Sequence, residues 1–261
     1  MLGTNKTRFP KPSAFKDFYL KRTFSKTPNI LQILTRVKTV TEFKRSVPSK
    51  RQIRKIERLT RGQAKTRTWF FYRKGCVTAT MTKRISSSST PHWKINFSID
   101  KPYELSLPYP AIRFGVEHEI DAKNAFFDVK RKAHRNLRIH DVGLKMDDEF
   151  PFFAGSADGI VECSCCPARV LEVKCSFKYR DTKIGQLPYL KDGKLNPTHR
   201  YYFQLQTYLG LYNLEMGYFV VWTNHDLLIL EVELDRDFYN GLKKTVVDYY
   251  FTKYVPTKLC N

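Results

Sequence analysis

A mixed α/β domain with a central sheet is predicted by three features of this 261-residue chain. Helix and strand signals alternate through the second half, and the length and 42% hydrophobic content suffice for one substantial core. No apolar run approaches the roughly 20 residues that cross a bilayer, the longest lying around GYFVVW, and MLGTNKTRFPKPS lacks the apolar stretch of a signal peptide. The expectation is a soluble intracellular protein.

Residues 1–50 mix Lys and Arg with Phe, Tyr and Pro and show little periodicity, so a solvated tail competes there with an ordered cationic arm. In SKRQIRKIERLTRGQAKTRTWFFYRKG, Ile53, Ile56 and Leu59 recur every three residues inside a basic run, which predicts a helix with a cationic outer face. RISSSSTPHW reads as a polar loop. PAIRFGVEHEIDAKNAFFDVKRKA predicts a helix, GIVECS and RVLEVKCSF two strands, and THRYYFQLQTYLGLYNLEM a further helix. GYFVVWT and LLILEVEL predict two more strands, and RDFYNGLKKTVVDYYFTKY a closing helix. The boundaries expected are a basic N-terminal extension over 1–60, partly disordered or helical, and a folded domain over 61–261.

The net charge of +21 is concentrated at one end: residues 1–100 carry 24 Lys and Arg against 4 Asp and Glu, whereas residues 101–261 carry 22 against 21. Such a polycation implies a polyanionic partner, because each neutralised phosphate releases counterions. Nucleic acid is expected first. An anionic membrane has only the charge in its favour, since no amphipathic Trp/Leu stripe accompanies it. Runs such as KRQIRK suit nuclear import as well as nucleic-acid contact, so a nuclear location is compatible with the sequence.

Two residues apart on a strand means the same face, so Glu172 and Lys174 project together while Val173 faces the core. If GIVECS and RVLEVKCSF pair as a hairpin, Asp158 approaches Glu172. Two neighbouring carboxylates repel unless a cation joins them, and oxygen-only ligation suits Mg²⁺ or Mn²⁺. Taken alone, Glu172 and Lys174 read first as a surface ion pair on an edge strand. Gln204 and Tyr208, one helical turn apart, share a face and could hydrogen-bond phosphate oxygens.

The blocks FGVEHEIDA, GSADGIV, LEVKC and HRYYFQLQTYLG, preceded by WFFYRKGCVTAT, together resemble the YqaJ-like viral recombinase family. Its members are relatives of phage lambda exonuclease within the PD-(D/E)XK nuclease superfamily. The resemblance spans residues 69–255, and the Cys-rich insert with FVVWT is similar to the animal branch. It implies a restriction-endonuclease-like core and a Mg²⁺-dependent deoxyribonuclease, 5′-end-directed on linear duplex DNA. An endonuclease, or an inactive DNA-binding relative that keeps the fold, are its alternatives.

By position, the resemblance implies Asp158 and Glu172 as metal ligands with the Val173 carbonyl, Glu119 as the helix glutamate assisting metal or water, and Lys174 as the catalytic lysine. Gln204 falls on the helix glutamine, with Gln206 and Tyr208 as substrate-facing neighbours. Arg73 and Thr80 match residues that hold a terminal 5′-phosphate. The chain departs from the family at Ala157, where proline is usual, and at Ser176; neither position is a ligand. A homo-oligomer and a single-strand annealing recombinase partner are compatible with the resemblance.

Of six cysteines, Cys163, Cys165, Cys166 and Cys175 crowd the hairpin, while Cys76 and Cys260 stand apart. Structural zinc uses pairs spaced C-x₂₋₄-C, and Cys163-Ser164-Cys165-Cys166 is read as C-x-C-C. Cys175 directly follows Lys174 and so points away from the Glu172/Lys174 face. Zinc is therefore not expected; reduced thiols in a turn are.

Overall fold

The computed structural model describes residues 27–87, 89–102 and 110–259; Cys260 and residues 1–26 of the expected extension lie outside the described residues. Helices α1 (Ile30–Leu34), α2 (Val40–Ser46), α3 (Lys50–Leu59) and α4 (Arg67–Arg73) lead to strand β1 (Val77–Thr78), α5 (Thr82–Ile85), α6 (His92–Asp100) and the long α7 (Pro110–Lys130). Strands β2 (Arg138–His140), β3 (Lys145–Met146), β4 (Phe153–Gly155), β5 (Gly159–Glu162) and β6 (Arg169–Cys175) follow. A small hairpin, β7 (Leu190–Lys191) with β8 (Lys194–Leu195), precedes α8 (Arg200–Tyr212), β9 (Met216–Trp222), β10 (Leu227–Glu233), α9 (Arg236–Tyr249) and α10 (Pro256–Leu259).

The expected central sheet is five-stranded and mixed, running β10-β9-β6-β5-β2 with β6 and β9 parallel and the other pairs antiparallel. Strand alternation assigns its two faces. Val161, Leu171, Val173, Tyr218 and Val220 pack against Ala122 and Phe126 of α7. Ile160, Val170, Phe219 and Val221 point the other way and pack against Leu205 and Leu209 of α8. Glu172 and Lys174 share the parity of Val170 and therefore face α8. The edge-strand reading of this pair fails, because β6 lies between β9 and β5.

A second core joins the N-terminal helices, the small β1-β4-β3 sheet and the C-terminal helices. Residues 30–59, read from the sequence as part of an extension, bury Ile30, Leu34, Phe43, Ile53 and Ile56 in this core. Side-chain caps start these short helices: Asn29 and Ser49 form capping boxes with Gln32 and Gln52, and Thr39 accepts from the Glu42 amide. On α3, Lys50, Arg51, Arg54, Lys55 and Arg58 are exposed opposite Ile53 and Ile56, giving the cationic outer face. Among the described residues, no helix is long and apolar enough to cross a membrane.

Candidate active site

The β5–β6 hairpin places its acids at one end of the sheet. Register sets Gly159 opposite Leu171, and the Asp158 amide donates to the Leu171 carbonyl at 3.0 Å. Asp158 Oδ2 in turn accepts from the Val173 amide at 2.7 Å, which fixes the carboxylate across the neighbouring strand. The loop ahead of it is held by Gln63, whose Nε2 donates to the Val142 and Ala157 carbonyls at 3.0 and 2.7 Å.

Glu172 is 1% exposed. Its Oε1 accepts from Gln204 Nε2 at 2.7 Å and from Lys174 Nζ, whereas Oε2 is buried with no hydrogen-bond partner. Burial, reinforced by the charge of Asp158, pushes the Glu172 carboxyl up to about 8 despite Lys174. Asp158 is also raised, by burial first and by Glu119 next. Unlike Glu172, Asp158 keeps an edge open to solvent. Burial pulls the Lys174 ammonium down, but Glu172 and Asp158 outweigh it and raise its pKa. Its Nζ also lies 4.9 Å over the Tyr201 ring.

From α7, Glu119 reaches the same cleft with Oε1 2.7 Å from Lys123 Nζ. Its acidic neighbours are engaged on α7 itself, Glu117 with Arg113 at 3.6 Å and Asp121 with His118 at 3.2 Å. Gln204 Nε2 also donates to Tyr208 Oη at 2.8 Å, so both hydrogen bonds of that amide nitrogen are spent inside the site. Opposite, the Arg73 guanidinium stacks 3.9 Å over Trp69, whose Nε1 donates to Ser156 Oγ at 2.9 Å. Among the described residues Arg73 has no carboxylate partner. Burial pulls it down to about 10, which leaves it cationic at neutral pH. Thr80 is exposed, with Oγ1 3.1 Å from that of Thr78.

A cleft of about 370 Å³ collects Arg73, Thr80, Glu119, Asp158, Glu172, Val173, Lys174, Gln204 and Tyr208. Gln206 does not join them. It is 0% exposed, donates to the Glu233 carbonyl and accepts from the Asp235 amide, both at 2.8 Å. It holds the connection between β10 and α9, and cannot reach a substrate in the cleft. Sequence reasoning passed over Trp69, Ser156 and Lys123, although Trp69 and Ser156 lie within the quoted motif blocks. Lys123, four residues after Glu119, is the helical partner that spacing could have revealed.

The hairpin cysteines are free thiols, as expected. Cys175 Sγ donates to the His118 carbonyl at 3.3 Å, away from the other three. His134 takes its place: its ring nitrogen and the sulfurs of Cys163, Cys165 and Cys166 all lie within 4.8 Å of one another.

A family model described as viral alkaline exonuclease matches residues 5–191. The alkaline nuclease of Autographa californica nuclear polyhedrosis virus is 24% identical over 240 residues, covering 80% of this chain. The match spans 53% of that relative's length. Among solved structures, the alkaline exonuclease LHK-Exo from Laribacter hongkongensis superposes with a TM-score of 0.60 at 18% identity, over 74% of this chain and 94% of that one. A SOX–DNA complex superposes with a TM-score of 0.51 at 11% identity, over 87% and 79%. At such identities the structural likeness establishes the fold.

Proposed function

The chain belongs to the viral alkaline exonuclease family, and on that premise we propose that it is a deoxyribonuclease, dependent on Mg²⁺ or Mn²⁺, that degrades linear duplex DNA from a 5′ end. One observation carries the reading: Glu172 is buried with Oε2 unpartnered, in a cleft it shares with Asp158 and Glu119. Removing a carboxylate oxygen from water without a donor is costly, and a hard cation offsets that cost and the repulsion from Asp158. Asp158, Glu172, Glu119 and the Val173 carbonyl form an oxygen-only donor set suited to such an ion. When bound, the ion supplies Lewis-acid polarisation of the scissile phosphate and a water of lowered pKa.

The chain's own residues do the rest. Lys174, tethered to Glu172, orients the attacking water and offsets negative charge on the phosphate. Gln204 acts through Glu172, fixing Oε1, and is a positioning residue. Arg73, stacked on Trp69 and without an acidic partner among the described residues, reads with exposed Thr80 as a cradle for a terminal 5′-phosphate. Structures of LHK-Exo with dAMP and of SOX with DNA and RNA, which share this fold, support a nucleic-acid substrate for the chain.

The test is digestion of linear, circular, single-stranded and 5′-phosphorylated DNA with Mg²⁺ or EDTA. Linear duplex should be degraded only with the metal, and Glu172→Ala or Lys174→Ala should lose at least ~10²-fold in rate while still binding DNA. Wild-type preparations no more active than these variants would sink the proposal. Equal rates on 5′-phosphorylated and 5′-hydroxyl ends would remove the role given to Arg73 and Thr80 alone.

A further inference from the structure

We propose that His134, Cys163, Cys165 and Cys166 form a structural zinc site, remote from the acidic cleft and closed by four protein ligands. The three sulfurs stand 3.5, 3.5 and 3.6 Å from His134 Nδ1. Cys165 Sγ is 3.4 Å from that of Cys163 and 3.8 Å from that of Cys166. A tetrahedral zinc with Zn–S about 2.3 Å and Zn–N about 2.1 Å has S···N edges of about 3.6 Å and S···S edges of about 3.8 Å. The three S···N edges and the Cys165–Cys166 edge match those dimensions, the Cys163–Cys165 edge is about 0.4 Å shorter, and all four ligand atoms lie within 4.8 Å of one another.

Hydrogen bonding does not account for them. A neutral imidazole nitrogen offers one in-plane lone pair, which accepts one thiol well, so three sulfurs at nearly the same distance from Nδ1 are more than it can accept. Nor is the cluster a disulfide, since all three cysteines are free and the sulfurs lie well beyond a bond of about 2.05 Å. Cys163 and Cys166 themselves stand at C-x₂-C spacing, which the reading of the run as C-x-C-C overlooked.

The backbone around the cluster is built to hold it. The Ser164 amide donates to the Arg135 carbonyl at 2.9 Å, and Asn136 Nδ2 donates to Ser164 Oγ at 2.9 Å. Asn136 adopts φ 54°, the left-handed conformation that turns the chain between α7 and β2. Cys165 is exposed, which gives an ion a route in. Zinc would staple the turn of the β5–β6 hairpin to the segment after α7. It would thereby join the element carrying Glu119 to the hairpin carrying Asp158, Glu172 and Lys174.

The experiment is metal analysis of the full chain, expressed with zinc and purified without chelator. Wild type should hold one zinc per chain, and exchange with Co²⁺ should give a thiolate charge-transfer band of a tetrahedral site. Cys165→Ser or His134→Ala should lose the metal, while Cys175→Ser and Glu172→Gln keep it. A wild-type zinc content near zero overturns the proposal without recourse to any variant. So does zinc retained in Cys165→Ser, or zinc lost in Glu172→Gln, which would assign the metal to the acidic cleft.

Discussion

Glu172 concentrates the chemistry of the cleft in one carboxyl group. Its pKa is pushed from an ordinary 4.5 to about 8 by burial and Asp158, so between those values the metal-free folded chain holds a proton that the unfolded chain has released. Stability from this group is therefore fully present below about pH 4.5 and is lost as pH rises to about 8. Thermal melts in EDTA should show Tm falling over that window in wild type, with a shallower fall in Glu172→Gln. Mg²⁺ should raise Tm most on the alkaline side, where it no longer competes with the proton. Parallel pH profiles for the two proteins would show that another group governs the trend.

At the level of elements, the site depends on how closely β4 meets α8. A Cβ added to Gly155 would lie 2.7 Å from Tyr208 Cε1 and 2.9 Å from Cδ1, against a ring only 3% exposed. Tyr208 accepts from Gln204, which holds Glu172, so Gly155→Ala should displace the carboxylate without touching it. Overpacking of this kind costs about 1–3 kcal/mol. Denaturant melts should show that loss, and kinetics should show a fall in kcat larger than any rise in KM. An unchanged kcat would separate Tyr208 from the positioning of Glu172. The β5–β6 hairpin, α7, α8 and the β9–β10 pair were legible because each is long enough for its period to emerge. Strands β1, β3 and β4 span two or three residues and show no alternation, while α1 and α2 are announced by caps rather than by a stripe. Gln206 was misread because two positions along a helix turn the side chain by about 200°, away from the face of Gln204 and Tyr208. His134 escaped because only the tertiary fold brings it to the cysteines.

Over the described residues as a whole, the cationic charge of α3 is presented on a folded surface. The cationic face of α3 is exposed while Ile53 and Ile56 anchor the helix, so its charges can be removed without opening the core. Replacing Lys50, Arg51, Arg54, Lys55 and Arg58 with Gln should leave Tm nearly unchanged. It should weaken DNA binding and flatten the salt dependence by about 0.9 in log–log slope for each phosphate no longer neutralised. Titrations at several salt concentrations measure it, and an unaltered slope would place the duplex elsewhere. The core that anchors α3 also joins distant parts of the chain: Phe152 stacks on Tyr250 at 3.7 Å between ring centroids, and Phe43 lies 6.1 Å from the same tyrosine. During synthesis Phe43 and Phe152 emerge from the ribosome long before Tyr250. The core that buries the N-terminal helices therefore cannot close fully until the last helices are made, and until then part of its aromatic surface stays open to non-native contacts.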